Sequence, residues 1–144
     1  MIWRQSTVTL PAMRQGFHLI TNLLVQDMPP IADIAAGTVH FFIRHTSASL
    51  TLNENADPDV RGDLERWCAH HIREREPFYR HTLEGDDDMP AHVAAVMVGP
   101  DLTIPISDGR LALGTWQGIY LGEHRRHGGP RQVVITVCGG PRQS

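Results

Sequence analysis

Three polar constellations hold the residues that could do chemistry. The first runs Glu84-Gly85-Asp86-Asp87-Asp88-Met89-Pro90-Ala91-His92, with four carboxylates in five residues and a histidine closing the run. Adjacent aspartates repel one another and need water, a cation or hydrogen-bond donors to stay ionised. Their oxygens suit Mg²⁺, with phosphate completing the shell; without a cation they read as a solvated loop that caps a helix. The second constellation, residues 45–59, packs His45, Thr46, Ser47, Ser49, Thr51, Asn53, Glu54 and Asn55 into one short stretch. Its hydroxyls and amides suit phosphate or the edge of a heterocycle. The third, residues 110–124, contains Arg110, Trp116, Gln117, Glu123 and His124. Arg110, Arg125 and Arg126 could clamp phosphate oxygens, and Trp116 could stack on a ring. Three imidazoles, His45, His92 and His124, with Glu54, Asp88 or Glu123 beside them, would suit a zinc-type site. No pair has HxH or HExxH spacing, so Mg²⁺ and Zn²⁺ both stay open.

Each constellation must be held by a regular element. Residues 2–10 and 16–20 read as strands. A helix over 23–28 follows the capping types Thr21 and Asn22, and a further helical turn over 31–36 ends at Gly37. Residues 38–45 are rich in β-branched and aromatic types and read as a central strand, so His45 sits at its end. In a strand over 49–53, Ser49, Thr51 and Asn53 share one face and Leu50 and Leu52 the other. Asp57-Pro58 reads as the N-cap and first position of a helix running to about His71, with Val60, Leu64, Trp67 and Cys68 on a core stripe. Residues 73–81 read as an exposed connection; His81, three residues before Glu84, could join the site but reads as part of that connection. Pro90 fits the first position of a short helix over 90–98, with Asp88 near its N-cap and His92 in its first turn. A strand over 102–106 carries Pro105, which points to an edge or a kink. Ser107-Asp108-Gly109 is a hairpin turn. A strand ends at His124, a final strand runs over 131–138, and the tail 139–144 reads as frayed. About seven strands with two or three helices in the middle give a single α+β domain over 1–144, largely an antiparallel sheet.

Composition narrows the function. The chain has 144 residues, enough for one domain that buries roughly two-thirds of its unfolded surface. A net charge of −3 supplies no field for nucleic acid. All 13 basic residues are arginine, which excludes lysine as a Schiff-base former or general base. Two cysteines without a CxxC point to a reducing, cytoplasmic setting. No signal-type segment and no 18-residue apolar run exists, so neither secretion nor membrane spanning is expected. There is no GxGxxG or Walker motif.

Three long segments, His45 to Pro58, Glu84 to His92 and Leu113-Gly114-Thr115-Trp116-Gln117-Gly118-Ile119, together resemble the YjbQ-like family, whose members are known as secondary thiamine-phosphate synthase enzymes. The resemblance covers about residues 3–140. It implies a compact α+β fold, a homotrimer with the site near a subunit interface, and weak coupling of a pyrimidinylmethyl diphosphate to a thiazole phosphate. Matched onto this chain, its typical polar positions are His45, Thr46, Asn53, Glu54, His92, Trp116 and Gln117. In that reading a divalent ion on Asp86, Asp87 or Asp88, with Arg110, serves the leaving diphosphate. Thr46, Ser47 and Asn53 bind phosphate or ring edges, Glu54 bonds the aminopyrimidine and Trp116 stacks. The alternatives are a metal- or phosphorylated-ligand-binding protein centred on His45 and His92, with Glu54 or His124 completing the set, and a metal-dependent hydrolase with Glu54 as general base.

Overall fold

The computed structural model describes residues 1–143. In chain order the elements are β1 (Ile2–Leu10), β2 (Gly16–Leu19), α1 (Thr21–Asp27), β3 (Ile34–Ile43), β4 (Ala48–Glu54), α2 (Pro58–His71), α3 (Asp88–Val98), β5 (Asp101–Ser107), β6 (Arg110–Leu111), β7 (Gln117–Glu123) and β8 (Arg131–Pro141). They form one α+β domain with two antiparallel sheets, in the orders β1-β8-β3-β5-β6 and β2-β7-β4. β3 is central in the larger sheet, as its apolarity predicts. Only one of its faces is sealed: Val39, Phe41 and Ile43 are buried while Phe42 is 41% exposed. These side chains join Val8 and Leu10 of β1 and Val133, Ile135 and Val137 of β8 in a single core. Leu50, Ile119 and Leu121 of the smaller sheet complete it. Each fully buried Leu, Ile or Phe contributes about 1.5–3 kcal/mol, which is what fixes the two sheets together.

Several local expectations hold for the stated reasons. Asp57 caps α2 by accepting from the Asp59 N–H at 2.9 Å. Asp108 (φ 48°) and Gly109 (φ 76°) both lie at positive φ, the pair of conformations a two-residue hairpin needs. Others change. The expected helical turn over 31–36 gives way to β3, which begins at Ile34. Gly37 is a strand residue opposite Gly139, not a helix terminator. A Cβ there would collide with the backbone carbonyl of Cys138, so the two ladders close only around glycine. The tail is not frayed from residue 139, because β8 pairs with β3 as far as Pro141. An eighth strand, the two-residue β6, follows the hairpin turn.

α2 also differs from the expected core helix. None of its residues is fully buried, Trp67 is 48% exposed and Cys68 is half-buried. The core is already filled by the two sheets, so this helix lies on their outside. α3 begins at Asp88, two residues before Pro90, and no side chain caps it. The carboxylates that would cap it are committed elsewhere.

Candidate metal centre

Asp88 is the point of convergence. Its side chain is only 4% exposed, and its Oδ2 lies 2.6 Å from His81 Nε2 and 3.2 Å from His92 Nε2. The three donor atoms all lie within 4.8 Å of one another, the one such His/Cys/Asp/Glu group among the described residues. Helix geometry supplies one pair: Asp88 and His92 are four residues apart and share a face. The 73–81 connection folds back to supply the third. Asp88 Oδ1 is held by Arg125 Nη1 at 3.3 Å. Burial pushes the Asp88 carboxyl up, but the hydrogen bond from His81 and the charges of Arg125 and His92 more than offset it, leaving Asp88 below the usual range.

The proton arrangement is informative. His92 Nδ1 lies 2.9 Å from the Thr46 carbonyl oxygen, which can only accept, so Nδ1 carries a proton. In the neutral ring Nε2 is then a lone pair, and it points at a carboxylate oxygen. Two lone pairs at 3.2 Å need a proton or a cation between them. A tetrahedral ion with bonds near 2.0–2.1 Å separates its ligand atoms by about 3.3 Å; the His92–Asp88 pair matches this at 3.2 Å, while His81 at 2.6 Å stands at direct hydrogen-bond distance and would have to draw back. The carbonyl that fixes the ring is the usual outer partner of a ligating histidine.

Asp87 stands beside this centre but does a different job. Its carboxylate accepts from the Arg126 N–H at 3.0 Å and pairs with Arg125 at 3.3 Å. Burial raises its pKa, and these donors bring it below the ordinary value. Asp86 pairs with the exposed Arg75. The aspartate run is therefore neutralised mainly by arginine, and only Asp88 joins the histidines.

The other expected site residues divide into two groups. His45 Nε2 accepts from the Gln132 N–H at 2.8 Å, extending the pairing beyond β3, and does not join His92. Burial, then the charge of Arg131, lowers its pKa. His124 is also apart from the cluster: its Nε2 is 2.7 Å from Ser49 Oγ. Burial pushes His124 down to about 4. Ser47 is sealed; its hydroxyl and carbonyl both accept from Arg131. Thr46 acts here through its carbonyl. Asn53, Glu54, Trp116 and Gln117 gather at the opposite end of the β4–β7 ladder, where Glu54 pairs with Gln117 while Ala48 pairs with Glu123. Six residue steps of about 3.4 Å put the two ends roughly 20 Å apart. There Gln117 Oε1 accepts from the Gly114 N–H at 2.8 Å, closing a turn that leaves Trp116 63% exposed. Arg110 lies on β6 at the edge of the larger sheet, not on the β4–β7 ladder. The three constellations thus do not form one site within a chain.

Two features carry little or no signal in the sequence. His81 lies in a segment that reads as an exposed connection; its one signal is proximity to the acidic run. Arg131 and Glu123 form a buried bidentate pair, at 2.8 and 2.7 Å, with side chains 5% and 0% exposed. They stand on successive strands, eight residues apart, with no local sign of pairing.

A two-sheet antiparallel fold with a buried carboxylate between two histidines defines a small domain with a candidate metal centre. The chain belongs to the UPF0047 protein YjbQ-like family, whose model matches residues 6–140. It is 47% identical over 138 residues to the UPF0047 protein YjbQ of Salmonella typhimurium, covering 96% of this chain and 99% of that one. It is 40% identical over 104 residues to the YugU protein of Bacillus subtilis, covering 72% and 74%. Among solved structures, a conserved hypothetical protein from Thermus thermophilus superposes with a TM-score of 0.76 at 32% identity, over 90% and 97% of the two chains. A YbjQ-like protein of unknown function from Sulfolobus solfataricus reaches 0.80 at 21% identity over 96% and 99%, a likeness of fold alone. No helix is long and apolar enough to cross a membrane.

Proposed function

We propose that the chain is a metal-dependent enzyme acting on a small phosphorylated molecule, with His81, Asp88 and His92 as the protein ligands of a divalent ion. The observation that supports it is the approach of two imidazole nitrogens to one buried carboxylate oxygen, with the His92 tautomer fixed by Thr46. Two histidines and a carboxylate with an open position are a donor set for zinc in hydrolytic sites. A divalent ion there supplies Lewis acidity toward a phosphoryl or carbonyl oxygen. Arg125 holds the Asp88 oxygen that the histidines leave free and ties down the acidic loop through the Glu84 carbonyl at 2.9 Å. The histidines' half-exposure keeps one side of the centre reachable by substrate. Glu54 at the far end of the ladder is not its general base within one chain.

The finer reading is the coupling of a pyrimidinylmethyl diphosphate to a thiazole phosphate, and it is favoured by the exposed Trp116 on its closed turn. The stacking Trp116 and the ring-edge groups Glu54 and Gln117 must stand beside the ion, yet in one chain they lie at the far end of the ladder, about 20 Å away. This reading therefore carries the homotrimer with it: a neighbouring copy presents its Glu54, Trp116 and Gln117 to the centre. A cytoplasmic setting fits the free thiols of Cys68 and Cys138.

The test begins with elemental analysis and native mass of chelator-stripped, metal-reloaded protein. About one zinc per chain, lost in His81→Ala and His92→Ala but kept in His45→Ala, is the expected result. Equal binding by all four proteins would overturn the centre. Coexpressed Asp88→Asn and Trp116→Ala chains should regain coupling activity if the site is shared, and stay inactive if it is not.

A further inference from the structure

A cavity of about 450 Å³ lies between α2, α3 and the β2 end of the smaller sheet, on the other side of α3 from the histidine cluster. Phe17, Cys68, Ile72, Pro90 and Ala94 give it apolar walls. His124 stands in its lining, 7% exposed, with its ring edge-on to Phe17 at 5.9 Å between centroids. The Nε2 of His124 is used by Ser49, and Nδ1 has no hydrogen-bond partner among the described residues. Among the described residues the sealed, unpartnered side-chain N and O atoms are Ser6 Oγ and Arg61 Nε. The His124 Nδ1 is not one of them, so it retains an opening, and the cavity supplies it.

The charge of the lining is one-sided. Glu65, Glu74, Asp87 and Glu123 contribute to it, against Arg66 alone. Each of those carboxylates has an arginine partner, Arg14, Arg126, Arg125 and Arg131 respectively. None of these four arginines lines the cavity, so the lining itself holds four carboxylates against one guanidinium. Arg66 is itself paired with Asp63 and largely exposed.

We infer that this cavity is a second ligand site, built for a small organic ammonium ion on an apolar body. The ammonium sits beside the part-exposed carboxylates of Glu65 and Glu74 and donates to His124 Nδ1, while the body packs on Phe17, Ile72, Pro90 and Ala94. A serine hydroxyl both donates and accepts, so the Ser49 bond survives in the tautomer that leaves Nδ1 free to accept. Burial holds His124 neutral near pH 7, so it does not repel a cation. The volume falls within the range of small-molecule sites, roughly 300–1,000 Å³. The inference does not depend on the metal centre.

The probe is benzylammonium, compared with benzyl alcohol and benzoate of the same shape. Cys68 lines the cavity and Cys138 does not, so alkylation followed by peptide mass mapping locates the ligand. With benzylammonium at ten times its Kd about one site in eleven is empty, and Cys68 alkylation should slow roughly tenfold while Cys138 is unchanged. Neither the alcohol nor the acid should match it. In ligand-observed NMR, His124→Phe should weaken binding about fivefold to tenfold. Ala69→Trp, a change at the exposed mouth that spares the core, should abolish it. An unprotected Cys68, equal protection by benzoate or benzyl alcohol, or undiminished binding to Ala69→Trp would each overturn the site.

Discussion

The buried imidazole of His124 makes the fold sensitive to mild acid. In the unfolded chain its pKa is near 6.5; in the folded chain burial pushes it down to about 4. A depressed folded value means that the stability is fully present above 6.5 and is lost as pH falls toward 4, because the unfolded state takes up the proton first. At pH 5 the unfolded ring is almost wholly charged and the folded ring almost wholly neutral. The cost relative to pH 7.5 is about 2 kcal/mol. With an unfolding entropy near 2.1 cal/mol/K per residue over this chain, that is a fall in Tm of roughly 7 °C. The window isolates the effect. Asp87 and Asp88, both depressed below 3.8, lose their contribution only at lower pH, and the raised Cys68 thiol matters only above pH 9. His45 is shifted in the same direction as His124, so the comparison must be between proteins. His124→Gln retains a hydrogen-bonding group for Ser49 but does not titrate. Urea unfolding of both proteins at pH 7.5 and 5.0, with chelator present, measures the difference. The stability gap between them should shift by about 2 kcal/mol in the variant's favour on going to pH 5. A gap that is the same at both pH values would show that His124 is not held neutral by burial, and the reasoning fails.

Other consequences are equally accessible. Asp88→Asn should weaken zinc binding roughly a hundredfold, one ligand's share of a structural-type binding energy, as read by competition with a chromophoric chelator. Arg131→Met strands the sealed Glu123 carboxylate and should cost about 3–5 kcal/mol in urea unfolding at pH 7.5. If it costs under about 1 kcal/mol, water reaches Glu123 and the pair is not sealed. Gly37→Ala should destabilise by about 3 kcal/mol, since the new methyl meets backbone rather than a movable side chain. Asp57→Ala should cost only about 1 kcal/mol, the worth of one N-cap, seen as a small drop in Tm.

The sequence by itself determined what depends on near neighbours. Alternation and β-branching mark β1, β3 and β8, since each needs only a two-residue period and one buried face. The cap at Asp57 and the hairpin at Asp108-Gly109 are local chemistry and are legible for that reason. The acidic run and His92 stand out as a candidate site on the same footing: one turn of helix brings Asp88 and His92 together. Tertiary structure decided the rest. Whether residues 31–36 coil or extend depends on Gly37 meeting Gly139, near the other end of the chain. Whether an apolar stripe such as that of α2 is buried depends on how much core the sheets leave, which no window of sequence contains. His81 enters the site only because the chain after α2 folds back onto Asp88. Conversely, the polar groups that lie close in sequence within residues 45–54 and 113–124 are separated because both stretches run along one ladder. A strand carries its two ends apart by its own length, so closeness in sequence placed them on one element but at opposite ends of it.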